Sequence, residues 1–556
     1  MKIITFFIFF LLILSNSGPH LFKYTLARET TLSGLYLSGL HARSNKNPDE
    51  ASYFFENALK LDPDNDNLSV QTFIQKLQAG KINDLSALTE KLLKSPKKLT
   101  LVHLANAIIK YKEKRFYESK VEIENIKADS FIGFALPLLK AWSRLPIEEY
   151  KDTFEALKPY TEKREWYNIY NLNCGMINEY YNKKKQALDC YKEVSKNISN
   201  QPLYFLKIIL DGLNRLGKNN EAKKVLEDFK SLREPSPVLD QYLDKYLNNI
   251  KKENITANLG FSEALRTIMH LQISLNGSGS GVLSLAYGQL ALYLNPNLTL
   301  LKYDISNLLR QRGQFKNAIE ILRSIKKINP GYTMAQLRIS ENFISMNKTI
   351  DAIDTLVKIS IDNPTLVSPF ISLGDIYRFD KKFLKSIDYY NKAIDVSKNN
   401  GSVLWYLYYS RGIALERANK WDLAEIDLIK SLDLNPGEAD VLNYLGYSWL
   451  DQIRNLKEAK EMIILAAEKK PEDGYIIDSL GWATFLMGDY DEAVTYLERA
   501  VSLRPGDPTI NDHLGDAYWK VGRRLEAVFQ WNHAIVNIKE EGQKDAIKEK
   551  IKNGLE

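Results

Sequence analysis

Residues 478–505 read DSLGWATFLMGDYDEAVTYLERAVSLRP, and from Asp512 the chain writes DHLGDAYWKVGRRLEAVFQWNHAI. Leu480-Gly481 returns as Leu514-Gly515, Ala493 as Ala527, Leu497 as Trp531 and Ala500 as Ala534. Small and large residues therefore recur in a fixed order, and a recurring period decides the fold before any local motif does. In a frame opening at Gly474, a large residue stands at position 7, a small one at 8, Ala at 20, a large one at 24, a small one at 27 and Pro at 32. The unit from Pro508 follows it apart from the final proline.

The frame extends backwards. The unit from Ala439 carries Gly446, Ala459, Ile463, Ala466 and Pro471, with one extra residue in its turn. The unit from Trp405 carries Gly412, Ala424, Leu428 and Pro436, and that from Val367 carries Gly374, Tyr390 and Ala393. Units from Thr333 and Thr299 carry Ala352, Leu356 and Pro364, and Ala318, Leu322 and Pro330. Ala, large and Ala at 20, 24 and 27 mark one face of a helix. Small residues at 8, 20 and 27 let two helix backbones approach, and the large residue at 24 fills the space between them. Gly313, Gly488 and Gly522 supply turns. Proline at 32 stops the second helix, having no N–H to donate. Each unit is a helix hairpin too small to fold alone, so stacked hairpins bury one another.

On these residues the chain resembles the tetratricopeptide repeat (TPR) family. The resemblance implies an all-α right-handed superhelical solenoid of stacked hairpins, arranged here as one array or two arms. The N-terminal part carries the pattern more weakly: Gly39, Ala51, Phe55 and Ala58 fit one unit, Gly175, Ala187 and Tyr191 another, and Ala222 and Leu226 a third. The expected organisation is a signal peptide over 1–27, cleaved after 17 or 27, and divergent hairpins over 31–235. An irregular joint with a Gly/Ser linker covers 236–281, the main array 282–541, and a polar capping helix 542–556.

The 556 residues, 45% hydrophobic and 26% charged, have a globular composition. Lys+Arg (75) nearly balances Asp+Glu (69), which speaks against a nucleic-acid partner. Ile3–Leu14 (IITFFIFFLLIL) follows a basic start and is shorter than the roughly 20 residues of a spanning helix. It reads as the apolar region of an export signal, so membrane contact is expected only through this segment. The expected location is the periplasm or cell envelope of a bacterium; an uncleaved inner-membrane anchor with a periplasmic body is the alternative. Cys174 and Cys190 are spaced to face each other across one hairpin. They could pair in an oxidising compartment, but two small buried side chains is the simpler expectation.

No HExxH, P-loop or GxSxG pattern occurs, and the six histidines form no metal spacing. The expectation is a non-enzyme with no cofactor and no metal. In TPR stacks positions 2, 5, 9 and 12 of the first helix line the concave side. In the last units these include Tyr406 and Tyr409, then Asn443 and Tyr447, then Tyr475, Asp478, Trp482 and Phe485, then Asp512, Asp516 and Trp519. Interleaved aromatics and carboxylates suit a groove that anchors a protein carrying Lys or Arg. The structural positions are Gly374, Gly412, Gly446, Gly481 and Gly515, with the alanines and prolines named above. The run from Asn443 to Trp531 resembles the C-terminal repeats of proteobacterial envelope TPR adaptors, some of which are lipoproteins that deliver substrates to a processing protease. The lipoprotein cysteine is absent here. The resemblance implies protein partners, an envelope protease and its substrates among them, and room for a homo-oligomer. A structural part of a polysaccharide-export or envelope-assembly complex is the alternative.

Overall fold

The computed structural model describes residues 31–95, 99–127, 132–162, 164–233, 236–249, 254–276, 281–401, 404–538 and 541–555. The apolar run Ile3–Leu14 and most of the Gly/Ser stretch after Asn276 lie outside them. The described residues hold thirty α-helices, a few short 3-10 turns and no strand. None of these helices is long and apolar enough to cross a membrane. The chain divides into two compact units, one running to Thr355 and the other from Leu356 to Glu556, with the division inside the helix Thr349–Asp362.

In the second unit the first helices of successive hairpins are Ser368–Phe379, Trp405–Arg417, Ala439–Asp451, Gly474–Leu486 and Pro508–Lys520. Their partners are Phe383–Asn399, Trp421–Leu434, Leu456–Lys469, Tyr490–Leu503 and Arg524–Asn537. The reason for glycine at position 8 is steric. A Cβ at Gly481 would sit 2.6 Å from Leu497, and one at Gly515 would sit 2.4 Å from Trp531. Gly374, Gly412 and Gly446 stand in the same way against Tyr390, Leu428 and Ile463. Ala424, Ala459, Ala493 and Ala527 are fully buried, so each hairpin closes around one large side chain with no space for another. The turn between the helices needs one left-handed residue. Gly488 (φ +91°) supplies it in one hairpin, and Asn419 (φ +58°) in another.

Pro364, Pro436, Pro471 and Pro505 each fall two residues past the C-terminal end of a second helix. Pro330 does not. The helix Phe315–Arg323 stops well before it. There the Asn329 side chain organises the following turn, accepting from the Gly331 N–H and donating to Thr299 Oγ1.

The first unit uses the same hairpin grammar at its start. A Cβ at Gly39 would meet Phe55 at 2.7 Å, and one at Gly175 would meet Tyr191 at 2.4 Å. Cys174 and Cys190 are bonded across the hairpin formed by Tyr167–Tyr180 and Lys184–Ser195. They are not two separately packed thiols: the antiparallel helices hold their Cα atoms 6.0 Å apart, within disulfide range.

Residues 237–294 form three helices, Pro237–Asn248, Ala257–Asn276 and Gly281–Leu294. The last two make a hairpin that lies against the first helices of the preceding array. Phe261 meets Tyr111 edge-on at 4.9 Å, and Gly260 lies so close to Trp142 that a Cβ would sit 1.9 Å from the indole. Tyr204 donates to Thr267, Gln289 donates to the Gln78 carbonyl at 3.3 Å, and Lys112 donates to the Tyr293 carbonyl. Phe261, Leu265, Ile268 and Met269 are fully buried, and Glu263 and Arg266 go in with them. Arg266 reaches Asp304 at 2.6 Å, which offsets much of the cost of enclosing its charge.

Candidate functional site

In the second unit the first helices are not covered in this way. Four of them, Trp405–Arg417, Ala439–Asp451, Gly474–Leu486 and Pro508–Lys520, bound a cavity of about 290 Å³. Its walls include Glu416, Asn443, Tyr444, Tyr447, Asp451, Tyr475 and Asp478. That volume is at the lower edge of ordinary ligand pockets and has room for one side chain of a partner.

The expected groove residues fall into three groups. Asn443, Tyr447, Tyr475 and Asp478 line the cavity. Tyr475 is 50% exposed, with the Arg504 guanidinium 4.9 Å from its ring. Burial raises the Tyr447 phenol well above its ordinary pKa, and Asp451 and Asp478 add to the shift.

The second group supports the walls. Trp482 stacks on His513 at 4.1 Å and on Phe485 at 4.9 Å. His513 Nδ1 pairs with Asp478 at 3.0 Å. Burial by itself would lower the His513 pKa, but the carboxylates of Asp478, Asp512 and Asp516 together outweigh it and the net direction is upward. Tyr409 meets Tyr444 edge-on at 5.9 Å and lies 6.5 Å from Trp405, against which Tyr406 also packs. Burial, helped by Asp440, pushes the Tyr409 phenol up to about 12.

The third group is already engaged. Lys550, on the helix Glu541–Asn553, reaches Asp512 and Asp516 at 2.8 Å each. Asp516 also accepts from Trp531 Nε1 at 2.9 Å. Trp519 donates to the Leu555 carbonyl at 3.1 Å and carries the Arg524 guanidinium 3.7 Å from its ring. These three residues are therefore bound to this chain's own C-terminal segment and do not join the cavity.

Reading positions 2, 5, 9 and 12 alone missed Tyr444, Ser448 and Asp451 in the second wall and Ser479 in the third. All four stand one residue after a position in that set, at 6, 10, 13 and 6. A step of one residue turns a helix by 100°, so neighbouring positions share the rim of a wide face. The described residues contain no group of three His, Cys, Asp or Glu placed to hold a metal.

A tetratricopeptide repeat family model matches residues 368–400, and a TPR repeat model matches 481–522. Over 215 residues the chain is 27% identical to the TPR repeat-containing protein PA4667 of Pseudomonas aeruginosa. That match covers 38% of this chain and 35% of the relative, so the chain spans about a third of that relative's length. Among solved structures, the APC/C hetero-tetramer Cut9-Hcn1 is similar at 15% identity, covering 96% of this chain and 98% of that one, with a TM-score of 0.38. The yeast Tom70 is similar at 14% identity, covering 94% and 95%, with a TM-score of 0.34. The chain carries tetratricopeptide repeats, and such repeats suggest a scaffold for protein–protein interaction.

Proposed function

We propose that this protein is an exported, non-enzymatic adaptor that captures a protein partner in the groove of its second unit and holds it for processing or assembly in the cell envelope. One observation carries the reading: the first helices of the second unit leave an aromatic and acidic cavity open, whereas the faces carrying Tyr111, Trp142 and Tyr204 in the first unit are filled by the chain's own hairpin. Open aromatic side chains on a rigid scaffold are the usual anchors of an interface. Export is supported by the Ile3–Leu14 run and by the Cys174–Cys190 bond, which suits an oxidising compartment. Delivery of substrates to an envelope protease follows from the resemblance of the Asn443–Trp531 repeats to envelope adaptors.

The test is affinity capture from envelope fractions with the full chain and with a Tyr447→Ala/Tyr475→Ala variant. Capture of a protease with its substrates, lost in the variant, is the expected result. A variant that captures the same proteins as the wild type would sink the groove. Capture of an outer-membrane barrel or a polysaccharide synthase instead would move the protein to the structural alternative.

A further inference from the structure

The cavity in the second unit has a specific electrostatic deficit. Of its carboxylates, Glu416 accepts from Tyr444 at 3.0 Å and pairs with Arg417 at 3.2 Å, and Asp478 is paired with His513. Asp507 caps the helix Pro508–Lys520, accepting from the N–H groups of Thr509 and Ile510. Arg417, the cation among the lining residues, is thus already engaged. Asp451 is different. It is exposed, and among the described residues no cation lies within ion-pair distance of it. Burial of the carboxyl on its inner side raises its pKa and Glu416 adds to the rise, while His513, the Tyr447 hydroxyl and the more distant Arg417 oppose it. A few residues away on the same helix, the Asn443 side-chain oxygen Oδ1 is buried with no hydrogen-bond partner. Tyrosine rings at 444, 447 and 475 wall the space.

The molecule shows elsewhere what such a surface accepts. On the first helix of the last repeat, Lys550 places its ammonium between Asp512 and Asp516, with burial and the two carboxylates acting on it in opposite senses and its pKa raised overall. There the chain supplies its own cation. At Asp451, two repeats earlier, Arg417 and His513 act only from a distance, and none of the described residues places a cation in ion-pair contact with it.

We propose that the cavity is a specificity pocket for an arginine side chain of the partner. The reading rests on the groove proposed above and names what the groove selects. A guanidinium is planar, always charged, and offers several donors in a fixed fork. It can serve the Asp451 carboxylate and lie against a tyrosine face in one pose. An ammonium would satisfy the charge and forgo the stacking. An acidic segment would meet Glu416, Asp451, Asp478 and Asp507 and be repelled.

The test uses the full-length protein and a displayed library of short random peptides, panned in parallel on the wild type and on Asp451→Asn. Because Asp451 is exposed, the substitution leaves the packing intact. Peptides enriched on the wild type are expected to share an arginine. Replacing it by citrulline, which keeps the shape and removes the charge, should weaken binding by about tenfold or more in fluorescence anisotropy. Lysine in its place should fall between the two, and Asp451→Asn should abolish the preference. Enriched peptides without a basic residue, no enrichment at all, or equal binding of arginine and citrulline peptides would overturn the proposal. If non-basic peptides are enriched and Tyr447→Ala releases them, the groove stands and the arginine pocket falls. If the enriched peptides ignore Tyr447→Ala and Tyr475→Ala, the groove itself falls.

Discussion

The two units build the same surface and spend it differently. In the first, the faces carrying Tyr111, Trp142 and Tyr204 are closed by the hairpin 257–294, which inserts Phe261 and Gly260 among them. In the second, the faces carrying Tyr447, Tyr475 and Asp478 are left open around a cavity. The difference lies in what each unit carries besides its repeats. Gly281–Leu294 (GVLSLAYGQLALYL) is apolar on nearly every side, and such a helix is stable only when covered all round. The array beside it provides the cover and gives up its own inner face. The helix beside the last repeat, Glu541–Asn553, has one buried residue, Ile547, and a run of lysines and glutamates. It caps one end and leaves the cavity open.

That contrast can be broken by mutation. Phe261→Ala should destabilise the first unit by about 3–5 kcal/mol, because the ring is fully enclosed. Tyr475→Ala on the open face should cost no more than about 0.5 kcal/mol. Urea unfolding followed by circular dichroism would show both; equal losses would mean that the two faces are not differently used. Next in size is the disulfide. Opening the 16-residue loop between Cys174 and Cys190 by Cys174→Ser should lower the stability of the first unit by about 3 kcal/mol. The groove of the second unit should bind as before, and a parallel loss there would tie the two units together.

A smaller effect sharpens the comparison through pH. His513 has a folded pKa above its unfolded value of 6.5, since Asp478, Asp512 and Asp516 together outweigh burial. Its contribution is therefore complete below pH 6.5 and is lost as pH rises through the folded value. The margin of the wild type over His513→Gln, read as the urea midpoint, should be widest in mild acid and should shrink as pH rises through the folded value. Because His513 carries Trp482 on its ring, tryptophan fluorescence of the groove should follow the same course. A margin that grows with pH would show that the imidazole is held neutral and that the Asp478 contact is a plain hydrogen bond.

Much of the array was legible in the sequence. Gly481 opposite Leu497, Gly515 opposite Trp531 and the buried alanines at position 20 follow from period and residue size alone. Pro330 was less legible, because Asn329 and Thr299 settle that turn through a side-chain contact between distant residues. The aromatic and acidic character of the groove was visible at Tyr447, Tyr475 and Asp478, but Asp451 and Tyr444 needed the third dimension. Asp512, Asp516 and Trp519 carry the same residue types at the same positions, and only the location of Lys550 and Leu555 shows that they are taken.

The sequence by itself determined that this chain is a stack of helix hairpins, because steric fit between residues about sixteen apart is a local property written into each repeat. Which inner face stays open was decided only by the tertiary structure. That choice depends on where the hairpin 257–294 and the C-terminal helix come to rest. Their packing is set by apolar surface and ion pairs between residues far apart in the chain, which no repeat period records.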